Sequence, residues 1–526
     1  RVVDVDVHLW PRERLRPSTQ LTSGTLDSQP TDPRTEKSSN CPPIADRASI
    51  LWPMKMFALL CSALLCSLAP AQSLTKLLTH LDTPMAVESW PGNPDLLVVA
   101  ERGTGRVNLY NVTVPPLQPG GVSPSMLVVD LGPFGVDVPP SQGHWYGLSG
   151  IAFHPEFLDD RKARYIFVRY TAGYDNTNAT IDTVVDRFRI PPGVNTVDPT
   201  SRVNVFRDTF YTDSEQAHCV GGIHFDPRPR NSGGVIEPVI TYDLYVPLGD
   251  HIFGQPSVMG PGNCNPGMED CAALFDGGGN RLYTGKLMRF PVGPLPLANG
   301  SSVPQTLPNV VGVGLRNPYS WSIDRGDSSG NGVGDIWLTD VGSNQKPGEI
   351  MHLPAYPLNS GDCYSGGACT HFGWPFVETV TIGVNNQGNV DANCNAEATN
   401  PFPNQNNLFP KADHGVPGTA GQALIGGCVY RGSALAGLQY QGQIFYGVFG
   451  SVPKLIHTPV GSVDDSATDD DLSDDLLMDV AGPNSFSGNF IFAGFGVDSD
   501  GEMYLVRHNA NASGVLNNDD IFRIDP

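Results

Sequence analysis

The sequence predicts an all-β fold, a six-bladed β-propeller with long inter-strand loops. Three observations point that way. Gly and Pro, 59 and 47 in number, are spread along the chain and leave almost no long stretch of helical period. Short apolar, β-branched or aromatic runs recur between clusters of Gly, Pro, Asn and Asp, the pattern of strands and their turns. One theme also returns six times: an apolar strand ending near Asp or Pro, a polar turn, then a second strand.

The first copy is Leu96-Leu97-Val98-Val99-Ala100 followed by Gly105-Arg106-Val107. The second is Gly150-Ile151-Ala152-Phe153-His154-Pro155, then Tyr165-Ile166-Phe167-Val168. The third is Gly222-Ile223-His224-Phe225-Asp226-Pro227, then Asp243-Leu244-Tyr245-Val246. Ser320-Trp321-Ser322-Ile323-Asp324 with Asp335-Ile336-Trp337-Leu338 makes the fourth. The fifth joins Gly427-Cys428-Val429-Tyr430-Arg431-Gly432 to Gln443-Ile444-Phe445-Tyr446. The sixth joins Gly494-Phe495-Gly496-Val497-Asp498 to Glu502-Met503-Tyr504-Leu505-Val506. A small antiparallel sheet of this kind cannot bury both faces alone, and stacking six of them radially does so. The spacing is roughly 75 residues per copy, against about 40–45 for a minimal blade. Long loops take up the excess, notably 254–280 and 361–412, and loops on a rigid scaffold are where function collects.

Ahead of the repeats the composition changes. Residues 1–53 are rich in Pro, Ser, Thr and Arg without apolar period, and read as a non-native or disordered leader. Met54-Lys55-Met56, an apolar run from Phe57 to Leu68 and Ala69-Pro70-Ala71 read as a secretory signal over 54–71, leaving 72–526 as the propeller. The apolar run is too short to span a bilayer, which takes about 20 residues. The expected location is therefore extracellular, or periplasmic in a bacterium. A net charge of −22 argues against nucleic acid, whose phosphates call for a basic stripe.

Seven cysteines follow residue 71: Cys219, Cys264, Cys271, Cys363, Cys369, Cys394 and Cys428. Export favours disulfides, and Cys264–Cys271 and Cys363–Cys369 are spaced as loop staples. None lies in a C-x-x-C frame, which argues against structural zinc. Asn111, Asn178, Asn299 and Asn511 head N-x-S/T sequons.

Five motifs in order carry a resemblance. Gly147-Leu148-Ser149-Gly150-Ile151-Ala152-Phe153-His154-Pro155-Glu156-Phe157 is similar to a G-L-x-G-I/F-A-F-H-P-D/E-F run. His218-Cys219-Val220-Gly221-Gly222 leads to Leu244-Tyr245-Val246-Pro247-Leu248-Gly249-Asp250, as in an H-x-x-G…Y-x-x-x-G-D segment. Gly314-Leu315-Arg316-Asn317-Pro318 matches G-x-R-N-P. Asp340-Val341-Gly342-Ser343-Asn344 with Glu349-Ile350 after it resembles a Q/V-G-x-N…E-I loop, and Phe372-Gly373-Trp374-Pro375 matches Y/F-G-W-P. Together they resemble the soluble glucose/sorbosone dehydrogenases that use pyrroloquinoline quinone (PQQ), from about residue 80 to 526.

The resemblance implies a PQQ- and calcium-dependent enzyme that oxidises a sugar at C1 and passes electrons to an external acceptor. It makes His218 the base, a task suited to an imidazole that titrates near neutrality. It sets Arg316 against charge developing on the quinone, where a fixed cation is most effective. Trp374 becomes an aromatic wall, Asp250 an orienting carboxylate, and the carbonyls of Gly342 and Ser343 ligands for calcium. In the late segment, where the family carries clamping cations, the chain has Val448 and Gly450-Ser451-Val452-Pro453-Lys454, with Lys454 as the candidate cation. Trp145 also stands where Glu or Gln is usual, and Ala217 precedes the base.

The same resemblance admits a rival, because Hedgehog-interacting proteins share the fold and bind a protein partner without catalysis. A propeller lactonase would want a ring of inward Asp, Asn and Glu ligands that the sequence lacks. Gly326-Asp327-Ser328-Ser329-Gly330 fits G-x-S-x-G but lies in a polar hairpin loop, whereas a nucleophile elbow needs a strand-to-helix turn. His154 reads as structural, Asp498-Ser499-Asp500-Gly501 as a hairpin turn, and the acidic run 464–475 as a solvated loop.

Overall fold

The computed structural model describes residues 72–113, 123–139, 145–159, 164–175, 180–211, 218–231, 240–250, 281–293, 307–341, 349–355, 362–365, 369–372, 406–407, 423–435, 440–449, 454–459, 476–477, 480–481, 490–509 and 519–525. The expected leader and signal segments, the acidic run and Cys264, Cys271 and Cys394 lie outside the described residues.

The strands form six sheets. The first strand, β1 (Gln72–Leu81), belongs to the last blade. Blade 1 is β2 (Pro84–Trp90), β3 (Asn93–Glu101), β4 (Arg106–Asn111) and β5 (Ser125–Asp130). Blade 2 is β6 (Leu148–Phe153), β7 (Tyr165–Asp175), β8 (Thr180–Arg189) and β9 (Asp198–Tyr211). Blade 3 runs β10 (His224–Phe225), β12 (Ile240–Pro247), β13 (Lys286–Val292) and β14 (Asn309–Val313), with β11 (Arg230–Asn231) also on β12. Blade 4 is β15 (Ser320–Ile323), β16 (Ile336–Asp340) and β17 (Glu349–Leu353). The short β18 (Thr370–His371) and β19 (Asn406–Asn407) extend the outer edge of blade 3. Blade 5 is β20 (Ala423–Val429), β21 (Gln443–Phe449), β22 (Lys454–Pro459) and β23 (Leu476–Leu477). Blade 6 is β25 (Phe490–Val497), β26 (Met503–Asn509) and β27 (Asp519–Asp525), completed by β1 and the two-residue β24 (Val480–Ala481). Among the described residues the helical turns are two 3-10 segments, Gly132–Phe134 and Cys363–Ser365.

The innermost strands touch in a closed cycle: β2, β6, β10, β15, β20, β25 and back to β2. That cycle is the propeller axis. The β25–β2 join is tight enough that a Cβ on Gly496 would sit 2.1 Å from the Val87 carbonyl oxygen, so only glycine fits there. Closure is sealed at the periphery, where β1 pairs antiparallel with β27 and ties the start of the described chain to its end.

The core is divided as the architecture requires. Six apolar clusters bridge the six pairs of adjacent blades: Val98 with Ile166, Phe167 with Leu244, Leu287 with Leu338, Trp337 with Tyr446, Phe445 with Leu505, and Tyr504 with Val99. Blade faces are thus buried against neighbours, as the sequence pattern requires. Five of the six sequence copies begin at the innermost strand. The copy at Leu96 does not: it covers β3 and β4, and the innermost strand of blade 1 is Pro84–Trp90. That strand is followed by Pro91, but Glu88 and Ser89 interrupt its apolar run, so the shared theme reads one strand outward.

Of the expected staples, Cys363–Cys369 is a disulfide. Cys219 and Cys428 are buried thiols, and burial pushes each up to about 12, which leaves them protonated and unreactive.

Candidate active site

Successive strands in a blade alternate direction. The starts of the innermost strands and the ends of the second strands therefore gather at one mouth of the axial channel. Four side chains from such positions converge there: His218 ahead of β10, Asp250 beyond β12, Arg316 ahead of β15 and Asp340 at the end of β16.

The segment that carries His218 is pinned on both sides. The Arg169 guanidinium donates from Nη2 to the Cys219 carbonyl at 3.1 Å. The Trp321 indole N–H donates to the Gly222 carbonyl at 3.0 Å. A Cβ on Gly221 would lie 2.7 Å from Arg169 Nη1 and 3.0 Å from the Pro318 carbonyl oxygen, so the segment threads between blades without room for a side chain.

His218 Nδ1 lies 2.6 Å from Asp250 Oδ1, and both side chains are buried. A carboxylate accepts, so Nδ1 donates and Nε2 is left as the basic nitrogen. Asp250 is held in turn by its backbone N–H, which donates to the Arg316 carbonyl at 2.7 Å. The floor between them is Gly249, where a Cβ would stand 2.5 Å from the His218 carbonyl oxygen and 2.7 Å from that of Arg316.

Arg316 is buried and donates from Nη1 to the Val341 carbonyl at 2.6 Å. Its backbone N–H donates to Asp340 Oδ2 at 2.8 Å, and the Asn317 N–H donates to Asp340 Oδ1. Burial pushes the Asp340 carboxyl up to about 7, against the pull of those two N–H donors and the Arg316 charge; the nearby Asp250 charge adds to the rise. The sequence motif that opens at Asp340 assigns that residue no role. Its signal is the same as that of Asp250: an acidic residue closing the second strand of a blade.

Around this cluster Trp145 packs edge-on to Tyr319 at 5.6 Å, and the buried Arg102 guanidinium lies 5.1 Å from the Trp145 ring. The Trp145 carbonyl also accepts from the Cys219 thiol, beside His218, at 3.1 Å.

The structure brings together His218, Asp250 and Arg316 from the expected set. Trp374, Gly342 and Ser343 lie outside the described residues, although Gly342 follows Val341 directly in the chain. Lys454 opens β22, with its backbone paired to Val448; its side chain is outside the described set. Among the described residues no group of three His, Cys, Asp or Glu side chains gathers as a metal site. The G-x-S-x-G run closes the β15–β16 hairpin, where Asp327 Oδ1 accepts from Ser329 N and Asn331 N at 2.8 and 2.9 Å, and no helix follows. His154 is buried in ring contact with Phe225 and Tyr242, each at 5.4 Å, as the structural reading expects.

No family model and no curated protein matches the chain. Among solved structures, the chain is similar to virginiamycin B lyase from Staphylococcus aureus at 7% identity and a TM-score of 0.27, covering 86% of this chain and 99% of that one. A putative 6-phosphogluconolactonase from Bacteroides uniformis matches at 8% identity and a TM-score of 0.24, covering 84% and 95%. Likenesses this slight carry no argument about chemistry, which rests on the chain's own geometry.

Proposed function

We propose that the chain is a secreted quinoprotein dehydrogenase that oxidises an aldose or related sugar at C1, with PQQ and calcium at the His218 mouth. The observation that carries this reading is the buried His218–Asp250 pair set beside Arg316 over a glycine floor. The described residues fit such a group. A planar guanidinium suits a carboxylate-bearing, carbonyl-rich ring system, and the Gly249 floor leaves backbone where a side chain would intrude. Arg316, Trp374 and Lys454 would hold the cofactor, and the carbonyls of Gly342 and Ser343 the calcium.

When bound, PQQ supplies the two-electron acceptor for hydride from C1, chemistry that no side chain provides. The chain's own residues do the rest. His218 Nε2 takes the C1 hydroxyl proton, a contribution of about 10²–10⁴-fold for a positioned base. Asp250 fixes the tautomer and stabilises the imidazolium that results. The Arg316 cation offsets negative charge that develops beside it. An external electron acceptor completes the redox balance. The Cys363–Cys369 disulfide supports an oxidising compartment.

The test is a PQQ titration of the chain from Gln72 onward with calcium, followed by aldoses and a dye acceptor. Saturable binding with sugar-dependent dye reduction is expected, and His218→Ala keeps the binding while losing the reduction. Folded protein that binds no PQQ at high concentration contradicts the reading and leaves a partner-binding propeller of the Hedgehog-interacting kind.

A further inference from the structure

The axial channel has a second mouth, formed where the innermost strands end. It opens into a cavity of about 520 Å³. That is within the roughly 300–1,000 Å³ range of small-molecule sites. None of its lining residues belongs to the His218 cluster. Its walls are largely aromatic and apolar, from Phe153, Leu158, Phe225, Tyr242, Trp321 and Phe495, and all six blades contribute side chains. Among the described residues its one carboxylate is Glu88, on the innermost strand of blade 1.

We propose that this mouth is a binding site for a small organic ammonium ion with an aromatic or aliphatic body. Glu88 is the anchor. Its Oε1 is 3.8 Å from His224 Nδ1, beyond hydrogen-bond range. The charged and titratable groups that face it are His224 from β10, Arg325 beyond β15 and Cys428 from β20, with His154 lining the cavity beyond β6. Arg325 is committed elsewhere: its guanidinium donates to the Val497 carbonyl at 3.3 Å and to that of Asp498, bracing blade 4 against blade 6. His224 is packed edge-on to Trp321 at 4.7 Å, and burial drives its pKa down to about 4, so it stays neutral. Cys428 stays protonated, as above. A carboxylate walled by aromatic rings selects positive charge, because ring faces attract cations electrostatically. The chain's net charge of −22 draws cations toward it.

The site has a pH signature. Burial pushes the Glu88 carboxyl up to about 7, with Arg325 opposing. The anchor is therefore mostly protonated at pH 5.5 and mostly ionised at pH 8, while His224 is neutral throughout. Ammonium binding must strengthen as pH rises through 7.

The experiment is calorimetric titration of the folded chain with benzylamine and with benzyl alcohol, its neutral counterpart, at both pH values. Benzylamine is expected to bind one per chain, to tighten roughly ten-fold from pH 5.5 to 8, and to exceed benzyl alcohol by a similar factor at pH 8. Glu88→Gln removes the charge preference and the pH dependence, and His218→Ala changes neither. Equal affinity for the two probes, or no pH dependence in the wild type, overturns the proposal without recourse to any variant. Binding that survives Glu88→Gln unchanged, or that vanishes in His218→Ala, overturns the assignment to this mouth. Because the site shares no residue with the His218 cluster, failure of the dehydrogenase reading leaves this result untouched.

Discussion

Asp250 serves two neighbours at once. Its backbone N–H is committed to Arg316 and its carboxylate to His218, so one residue sets the spacing between base and cation. Asp250→Asn keeps the shape but offers Nδ1 an amide that can present a donor. The expected result is a loss of kcat of about 10²-fold or more with cofactor binding retained; unchanged kcat in steady-state assays would show that Nδ1 needs no acceptor. Asp340 gives a stability test. Its carboxyl titrates near 7 in the fold against an ordinary 3.8, so between those values the folded state holds a proton that the unfolded chain has released. Stability from this group is full below pH 4 and is lost as pH rises toward 7. Asp340→Asn should flatten that decline in urea midpoints, while lowering stability overall because an amide has one acceptor for two N–H donors. A parallel decline in both proteins would contradict it. At this scale His218 and Arg316 were legible because each sits in a local motif. Asp340 opens such a motif, but its role was not legible, nor was the Glu88–His224 pair, since the partners lie 24 and 136 positions apart and only the folded strands bring them together.

Among elements, β1 has large leverage, because its pairing with β27 is the backbone-hydrogen-bonded closure of the ring, added to the inner β25–β2 contact. A chain beginning at Pro84 should lose cooperative unfolding in thermal scans, with blades 1 and 6 the first to exchange amide hydrogens. An unaltered single transition would mean that inner-strand contacts suffice. The Cys363–Cys369 bridge closes a loop of six positions beside β14. Replacing both cysteines by serine should lower stability by roughly 2 kcal/mol, read from denaturant midpoints. Most innermost strands announced themselves by ending near Asp or Pro. Blade 1 did not, although Pro91 follows its innermost strand, because Glu88 and Ser89 interrupt the apolar run of Pro84–Trp90; Glu88 lines the channel and Trp90 packs in the blade 1–2 interface.

For the whole molecule, six sheets around one axis turn a linear repeat into a channel with two unlike ends. One end gathers His218, Asp250, Arg316 and Asp340; the other gathers aromatic rings around Glu88. The fold class was readable because strand periodicity and repetition are properties of the sequence itself. The asymmetry of the ends was not, because it depends on which strand termini share a face.

The central claim is that the His218 mouth removes hydrogen from a sugar C1 with His218 as base. It is tested most directly by stopped-flow reduction of the PQQ- and calcium-loaded chain with an aldose carrying deuterium at C1. The account predicts a slower reduction with the deuterated sugar than with the ordinary one, and a rate that collapses in His218→Ala. Loaded protein whose reduction shows no isotope effect and does not depend on His218 would contradict it.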